Sequence, residues 1–263
     1  MTQIYDNLAG DYARHRPEYP EALLEALWAH YEAGRRAGWP RPELVVDVGA
    51  GTGIATRLLR RTLGPEVRII ALEPSAGMRE QAAAGTPSGL AIEFRDGSAE
   101  QLPFESGAAT LINVAQAVHW FDRTRFYAEA RRVLAPGGTL AILQNNRDWR
   151  ASPFLDAYET FLETYGEDYS RHYRAFDIEA ELGSVEGLEA VTLVVANWEQ
   201  PMTVEQFAGM ARSSSRVQAA MRRNGEQRTI AALLDLLDQY AQSDGTVAVQ
   251  YRSELYLARR AAS

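Results

Sequence analysis

The stretch Leu44–Leu63, LVVDVGAGTGIATRLLRRTL, constrains the fold of this chain more than any other. Leu44–Val48 is a short apolar run rich in β-branched residues, the pattern of a buried strand. Glycines follow at Gly49, Gly51 and Gly53, and then Ile54, Leu58, Leu59 and Leu63 recur at helical spacing. Strand, tight glycine turn and helix in that order make a nucleotide-type site. The glycines let backbone approach a ligand, and the helix start presents free N–H groups. Asp47, at the strand's end, either faces the ligand or orders the turn.

The spacing departs from the dinucleotide fingerprint G-x-G-x-x-G, because the third glycine comes one position early in G-A-G-T-G. An acidic ribose partner is expected ~20 residues further on. Glu73, closing the apolar run RIIALE, stands there, and one carboxylate there accepts from both ribose hydroxyls. DVGAGTG together with ALEPS closely resembles the first two motifs of the class I S-adenosylmethionine-dependent methyltransferases. That resemblance implies an α/β, Rossmann-like sheet of seven mostly parallel strands with the last strand antiparallel, helices on both faces, and a helical cap. It implies S-adenosyl-L-methionine as cofactor, held by Asp47, Gly49, Ala50, Gly51, Glu73 and Pro74. Met78 either touches the adenine or packs in the core.

Residues 91–95 alternate and read as the third strand, ending in Asp96-Gly97-Ser98-Ala99-Glu100. In the family an acidic residue just after this strand accepts from the adenine amino group. By resemblance Asp96 takes that place, with Gly97 and Ser98 beside it, and Ala99 lets the ring lie flat; otherwise Asp96 is a turn residue. Ala109–Ala115 reads as the fourth strand, and Asn113, Ala115 and Trp120 complete the implied cofactor set.

AQAVHWFD, after that strand, differs from the N/D-P-P-Y motif of nucleic-acid amino methyltransferases. It resembles a small-molecule branch related to the trans-aconitate methyltransferases (methyltransferase type 11), where it borders cofactor and substrate. Gln116 and His119 are therefore substrate candidates. His119 is the titratable group suited to proton transfer near neutral pH, so it is either a catalytic base or an orienting residue. The N-terminal YDNLAGDYARHRPEYP resembles the same branch, in which an aromatic residue and an arginine close over the cofactor's methionine end. The resemblance implies Tyr12 and Arg16 for cofactor, and Tyr5 and Tyr19 for substrate.

Helical spacing predicts helices over Glu21–Ala37, from Pro74-Ser75 through Met78 to Ala84, and over Arg123–Leu134, Pro201–Arg212 and Glu226–Tyr240. Pro136-Gly-Gly138 reads as a turn before a fifth strand at Thr139–Gln144. Late strands are expected at Leu188–Trp198 and Thr246–Leu257. After the fifth strand, Asn145–Phe176 is too aromatic for a plain connection and too long for a typical loop. It reads as a helical insertion walling a substrate cavity, with Asn145, Trp149, Tyr158, Tyr169 and Tyr173 as acceptor contacts. Arg171, His172 and Arg174 either favour an anionic acceptor or form a solvated basic turn. The expected organisation is one domain over residues 1–263, with cap insertions at 145–180 and 199–225.

Composition narrows the function. At 46% hydrophobic, the 263-residue chain has apolar material enough for a core. A net charge of −8 offers no general attraction to phosphate backbones, which argues against nucleic acid. With no cysteine there are no disulfides, thiolate metal sites or cysteine nucleophile, and no other metal motif appears. Neither an apolar signal core nor a membrane-length run is visible, so a cytoplasmic monomer or homodimer is expected. The resemblance implies methyl transfer to a small-molecule acceptor, with a carboxylate or phenolic oxygen favoured. The alternative is a cofactor-binding protein of the same fold that does not methylate, such as a cyclase or a regulatory binding module.

Overall fold

The computed structural model describes residues 19–36, 38, 43–166 and 168–262. In chain order the elements are α1 (Glu21–Arg35), β1 (Leu44–Val48), α2 (Ile54–Leu63), β2 (Arg68–Leu72), α3 (Ala76–Ala84), β3 (Ile92–Arg95), β4 (Ala109–Ala115), α4 (Arg123–Val133), β5 (Leu134–Arg147), α5 (Pro153–Tyr165), α6 (Ile178–Gly183), β6 (Leu188–Thr203), α7 (Val204–Arg212), α8 (Ser215–Asn224), α9 (Glu226–Tyr240) and β7 (Thr246–Arg260). The seven strands form one sheet in the order β3-β2-β1-β4-β5-β7-β6. Strands β1 to β5 are parallel, and β7 runs antiparallel to both its neighbours, so it alone is reversed. This is the expected Rossmann-like sheet.

The sheet is covered on both faces, which is why β1 is buried at every position rather than alternating with polar residues. Its side chains still alternate in direction. Val46, with Ile112 and Leu140, packs under α4, where Phe126, Ala130 and Val133 are buried. Val45, with Ile69 and Leu111, packs on the other face against Leu23, Leu27 and Tyr31 of α1 and Leu59 and Leu63 of α2. Each fully buried Leu, Ile or Phe in these layers contributes roughly 1.5–3 kcal/mol.

Two expectations change. Pro136-Gly-Gly138 is not a turn ahead of β5 but a bulge within it: Ala109 pairs with Leu134, and the next paired residue, Leu111, faces Thr139. Pro201 does not begin a helix. It lies on β6, the sheet's edge strand, where a missing N–H is tolerated. Helix α7 starts at Val204, after Thr203 and Gln206 form a reciprocal capping box.

Strands β5, β6 and β7 run past the parallel part of the sheet and up into the cap. Met202, Val247, Val249 and Tyr251 from their ends join Phe154, Tyr158, Phe207, Val217, Leu233 and Leu237 from the cap helices in a third apolar cluster. Ser152 caps α5 and Pro153 occupies its first turn, so this helix begins where the strand ends. Among the described residues, no helix is long and apolar enough to cross a membrane.

Candidate active site

A cavity of about 760 Å³ opens between the C-terminal ends of β1, β2 and β4 and the cap. That lies within the ~300–1,000 Å³ of small-molecule sites. It sits where β1 is flanked by β2 on one side and β4 on the other, the point at which strand order reverses.

The glycine turn forms its floor. The Gly49 and Ala50 N–H groups donate to the Leu72 carbonyl at 2.9 and 3.0 Å, tying the turn to the neighbouring strand. Gly49 has a φ of +71°, and a Cβ there would lie 2.6 Å from the Ala117 Cβ, so both backbone and space require glycine. Gly51 has a φ of +56° and differs in kind. A Cβ there would stand 4.0 Å from the Met78 sulfur with no closer described neighbour, so it would project into open cavity. Glu73, buried at the end of β2, accepts from the Gly51 N–H and the Ser75 N–H, each at 2.9 Å and each on a different oxygen. Every carboxylate oxygen has a second acceptor site. Glu73 is fixed in orientation by two backbone amides.

Asp47 takes the structural alternative. It is 1% exposed and outside the cavity lining. Thr56 Oγ1 donates to it at 2.6 Å and Asn113 Nδ2 at 2.7 Å, joining β1 to α2 and β4. Asn113 is therefore its partner and likewise does not line the cavity. Burial pushes Asp47 up to about 6, against the lowering effect of the two hydrogen bonds, and the Glu73 charge adds to the rise. The folded protein then holds, between pH of about 4 and 6, a proton that the unfolded chain releases. Stability from this group falls as pH rises through that window and is level above it. The free-energy difference between wild type and Asp47→Asn is expected to grow by about 2 kcal/mol in favour of wild type from pH 6.5 to 4. Urea unfolding across that range measures it, and a difference independent of pH would overturn this account.

The Asp96–Ala99 segment also departs from expectation. The Asp96 side chain is 75% exposed and paired with Arg79 at 3.1 Å. Ala99 is buried in the core, and Gly97 lies against Leu72. None of Asp96, Gly97, Ser98 and Ala99 lines the cavity. The ion pair directs the Asp96 carboxylate toward α3. Pro74, Met78, Ala115 and the half-exposed Trp120 do line it.

On the acceptor side, Gln116 adopts a φ of +58°, rare for a residue with a side chain and typical of strained functional positions. Its Oε1 accepts from Arg174 Nη1 at 3.0 Å, and Asn146 Oδ1 accepts from the same nitrogen at 2.6 Å. Arg174 Nη2 lies 3.3 Å from His119 Nε2. A guanidinium only donates, so Nε2 is the acceptor in this arrangement. Tyr173 meets the His119 ring edge-on at 5.9 Å between centroids. Tyr19, Asn145, Trp149, Tyr169 and Tyr173 line the cavity. Tyr158 does not: it is 1% exposed among Phe154, Phe161 and Phe207, with Arg147 over its ring, and supports the wall from behind. Tyr5, Tyr12 and Arg16 lie outside the described residues.

The basic run divides. Arg171 is held by Asp156 and Glu163 and by Thr160, pinning the loop to α5. Arg174 turns inward. Four further arginines in the lining, Arg147, Arg150, Arg216 and Arg252, have no counterpart among the sequence expectations. For Arg147 no sequence signal exists. For Arg216 there was one: a cation in the first turn of α8, where the helix dipole disfavours positive charge.

Comparison with known proteins agrees with this geometry. Residues 46–142 match the methyltransferase domain family. An uncharacterized methyltransferase of Mycobacterium tuberculosis is 36% identical over 151 residues, 57% of this chain. The matched region spans only 55% of that relative's length. A Dictyostelium discoideum protein named as a methyltransferase is 28% identical over 249 residues, 92% of this chain and 88% of that one. A solved protein from Anaeromyxobacter dehalogenans, described as a type II methyltransferase, superposes with a TM-score of 0.65 at 24% identity, covering 94% of this chain and 98% of its own, which establishes the shared fold.

Proposed function

We propose that this chain, whose residues 46–142 match the methyltransferase domain family, binds S-adenosyl-L-methionine against the glycine turn and methylates a small molecule held under the cap. The observation that carries this reading is Glu73, locked by the Gly51 and Ser75 amides at the ribose position, beside a glycine whose missing side chain leaves cavity open. Glu73 would accept the ribose hydroxyls. Pro74, Met78, Ala115 and Trp120 would wall the adenosine, and the backbone of Gly49–Gly51 would admit it closely. When bound, that cofactor supplies a sulfonium methyl group, which leaves in line as the C–S bond breaks and its electrons stay on sulfur.

The chain's own task is alignment and exclusion of water. Proximity and orientation supply up to ~7–11 kcal/mol in well-ordered cases. A carboxylate acceptor is ionised at neutral pH and needs only aim, whereas a phenol, with a pKa of ~10, benefits from a base. The lone pair of His119 Nε2 faces an Arg174 donor, which favours the carboxylate and makes His119 a positioning residue for Arg174. His119→Ala is then expected to lower kcat by less than about tenfold and to leave its pH profile unchanged, against the ~100–10,000-fold of a general base. A loss of the larger size on a phenol, with a lost pH limb, would restore the base role.

Turnover with methyl-labelled cofactor and a panel of small acids and phenols tests the whole reading, with S-adenosylhomocysteine release as the readout. Tight cofactor binding with no demethylated product on any acceptor would leave a binding module in its place.

A further inference from the structure

The cavity's charges are unevenly matched. Arg252 is paired with Glu254 at 2.9 Å, and Arg171 with Asp156 and Glu163. Arg147 has only a long pairing with Glu159 at 3.6 Å, and its Nε, buried, has no hydrogen-bond partner among the described residues. Arg216 has no carboxylate partner among the described residues. Its guanidinium lies 5.2 Å from the ring centroid of Tyr169 and 5.1 Å from that of Tyr173. Arg174 reaches the same Tyr173 ring at 5.0 Å.

These rings do more than fill space. The Tyr169 hydroxyl donates to Glu159 at 2.5 Å, so Tyr169 stands between the Arg147–Glu159 pair and Arg216. Aromatic faces hold a cation in place without neutralising it, since they offer a quadrupole and no proton acceptor. A guanidinium held that way keeps its forked N–H donors for a ligand. Its position carries a cost as well, because the first turn of α8 is the positive end of a helix. An anion at this place would relieve both charges. Ser213, Ser214 and Ser215, neighbours of Arg216 in the chain, also line the cavity.

We propose that Arg216, held over Tyr169 and Tyr173, is a specificity-determining residue that seats an anionic oxygen group, carboxylate or phosphoryl, of the bound small molecule. That this molecule is the methyl acceptor rests on the reading above; the anion site itself does not. Arg147 and Arg174 supply the surrounding positive field. The aromatic rings contact the molecule's apolar body, so the ligand combines a charged end with a flat or hydrocarbon portion. A neutral molecule of the same shape leaves Arg216 desolvated and uncompensated, and is rejected for that reason.

The test is a titration of the full chain with phenylacetate, phenylacetamide and phenyl phosphate, read by tryptophan fluorescence, since Trp120 and Trp149 line the cavity. Wild type is expected to bind an anion saturably and phenylacetamide about tenfold or more weakly. The tighter of phenylacetate and phenyl phosphate identifies the group as carboxylate or phosphoryl. Arg216→Gln, with its thermal transition checked by circular dichroism, is expected to bind acid and amide alike. If it does not fold, Arg216→Lys takes its place, with weakened acid binding and unaltered amide binding expected from the lost fork. Equal binding of acid and amide by wild type, undiminished acid binding in the variants, or no saturable binding of either anion overturns the proposal. Calorimetry of wild type with S-adenosylhomocysteine reports separately. No binding there, with anion discrimination intact, defeats the methyl-transfer reading alone.

Discussion

Gly51→Val is expected to abolish S-adenosylmethionine binding while leaving the protein folded. The residue sits at a φ of +56°, where a β-branched side chain is an outlier, and the left-handed conformation costs roughly 1–2 kcal/mol. That strain is local and small beside the second effect. The new Cβ meets only the Met78 sulfur at 4.0 Å among the described residues, so its methyls occupy the floor of the cavity rather than the protein core. Any turn adjustment that relieves the strain also moves the amide that holds Glu73. Isothermal calorimetry, with circular dichroism as the check on folding, measures the outcome. Wild-type affinity in a folded variant would mean that the ligand lies elsewhere. A side chain at Gly49 would be a different fault, since it would strike Ala117 and disturb packing.

Glu73→Ala has the second large effect. It removes the expected ribose acceptor and also leaves the Gly51 and Ser75 amides without their partner. Hydrogen bonds to a charged group are worth ~1.5–3 kcal/mol each, so losing two at the ligand weakens binding by about 100-fold or more. Glu73→Gln separates the contributions, because an amide retains one acceptor oxygen and places a donor where the other stood. Its affinity is expected to fall between those of wild type and Glu73→Ala. Calorimetric affinities of the three proteins in that order support the ribose role, and equal affinities reject it. Removing the charge also relieves Asp47, whose upward displacement includes a contribution from Glu73.

The half of the site built on local patterns was legible in the sequence. Strand, glycine turn and helix are adjacent in the chain, and burial, backbone angle and helix start each leave a mark on residue type. The end of β2 is equally local, so Glu73 stands out. Asp47 was open between two roles because the choice depends on Thr56 and on Asn113, 66 residues away, which no spacing rule connects. Asp96 was placed by resemblance, and its carboxylate is paired with Arg79 of α3, which no spacing rule connects to it. Tyr158 and Tyr169 look alike in an aromatic segment. Only the packing of α5 against α7 and α9 sends the first into the core and leaves the second in the wall. Arg174 was visible as charge, but its direction was not, because Gln116, Asn146 and His119 come from other parts of the chain.

The long antiparallel strands have a bearing on how such a protein can be re-engineered. Met202, Val247, Val249 and Tyr251 anchor the helices above them, and Arg147 reaches the cavity from the tip of β5. The roof is thus an outgrowth of the sheet and not a module clipped onto it. Transplanting α5, α7 and α8 from a homologue would bring in new walls on foreign foundations. A chimera with altered acceptor preference would need to exchange the strand tips along with the helices.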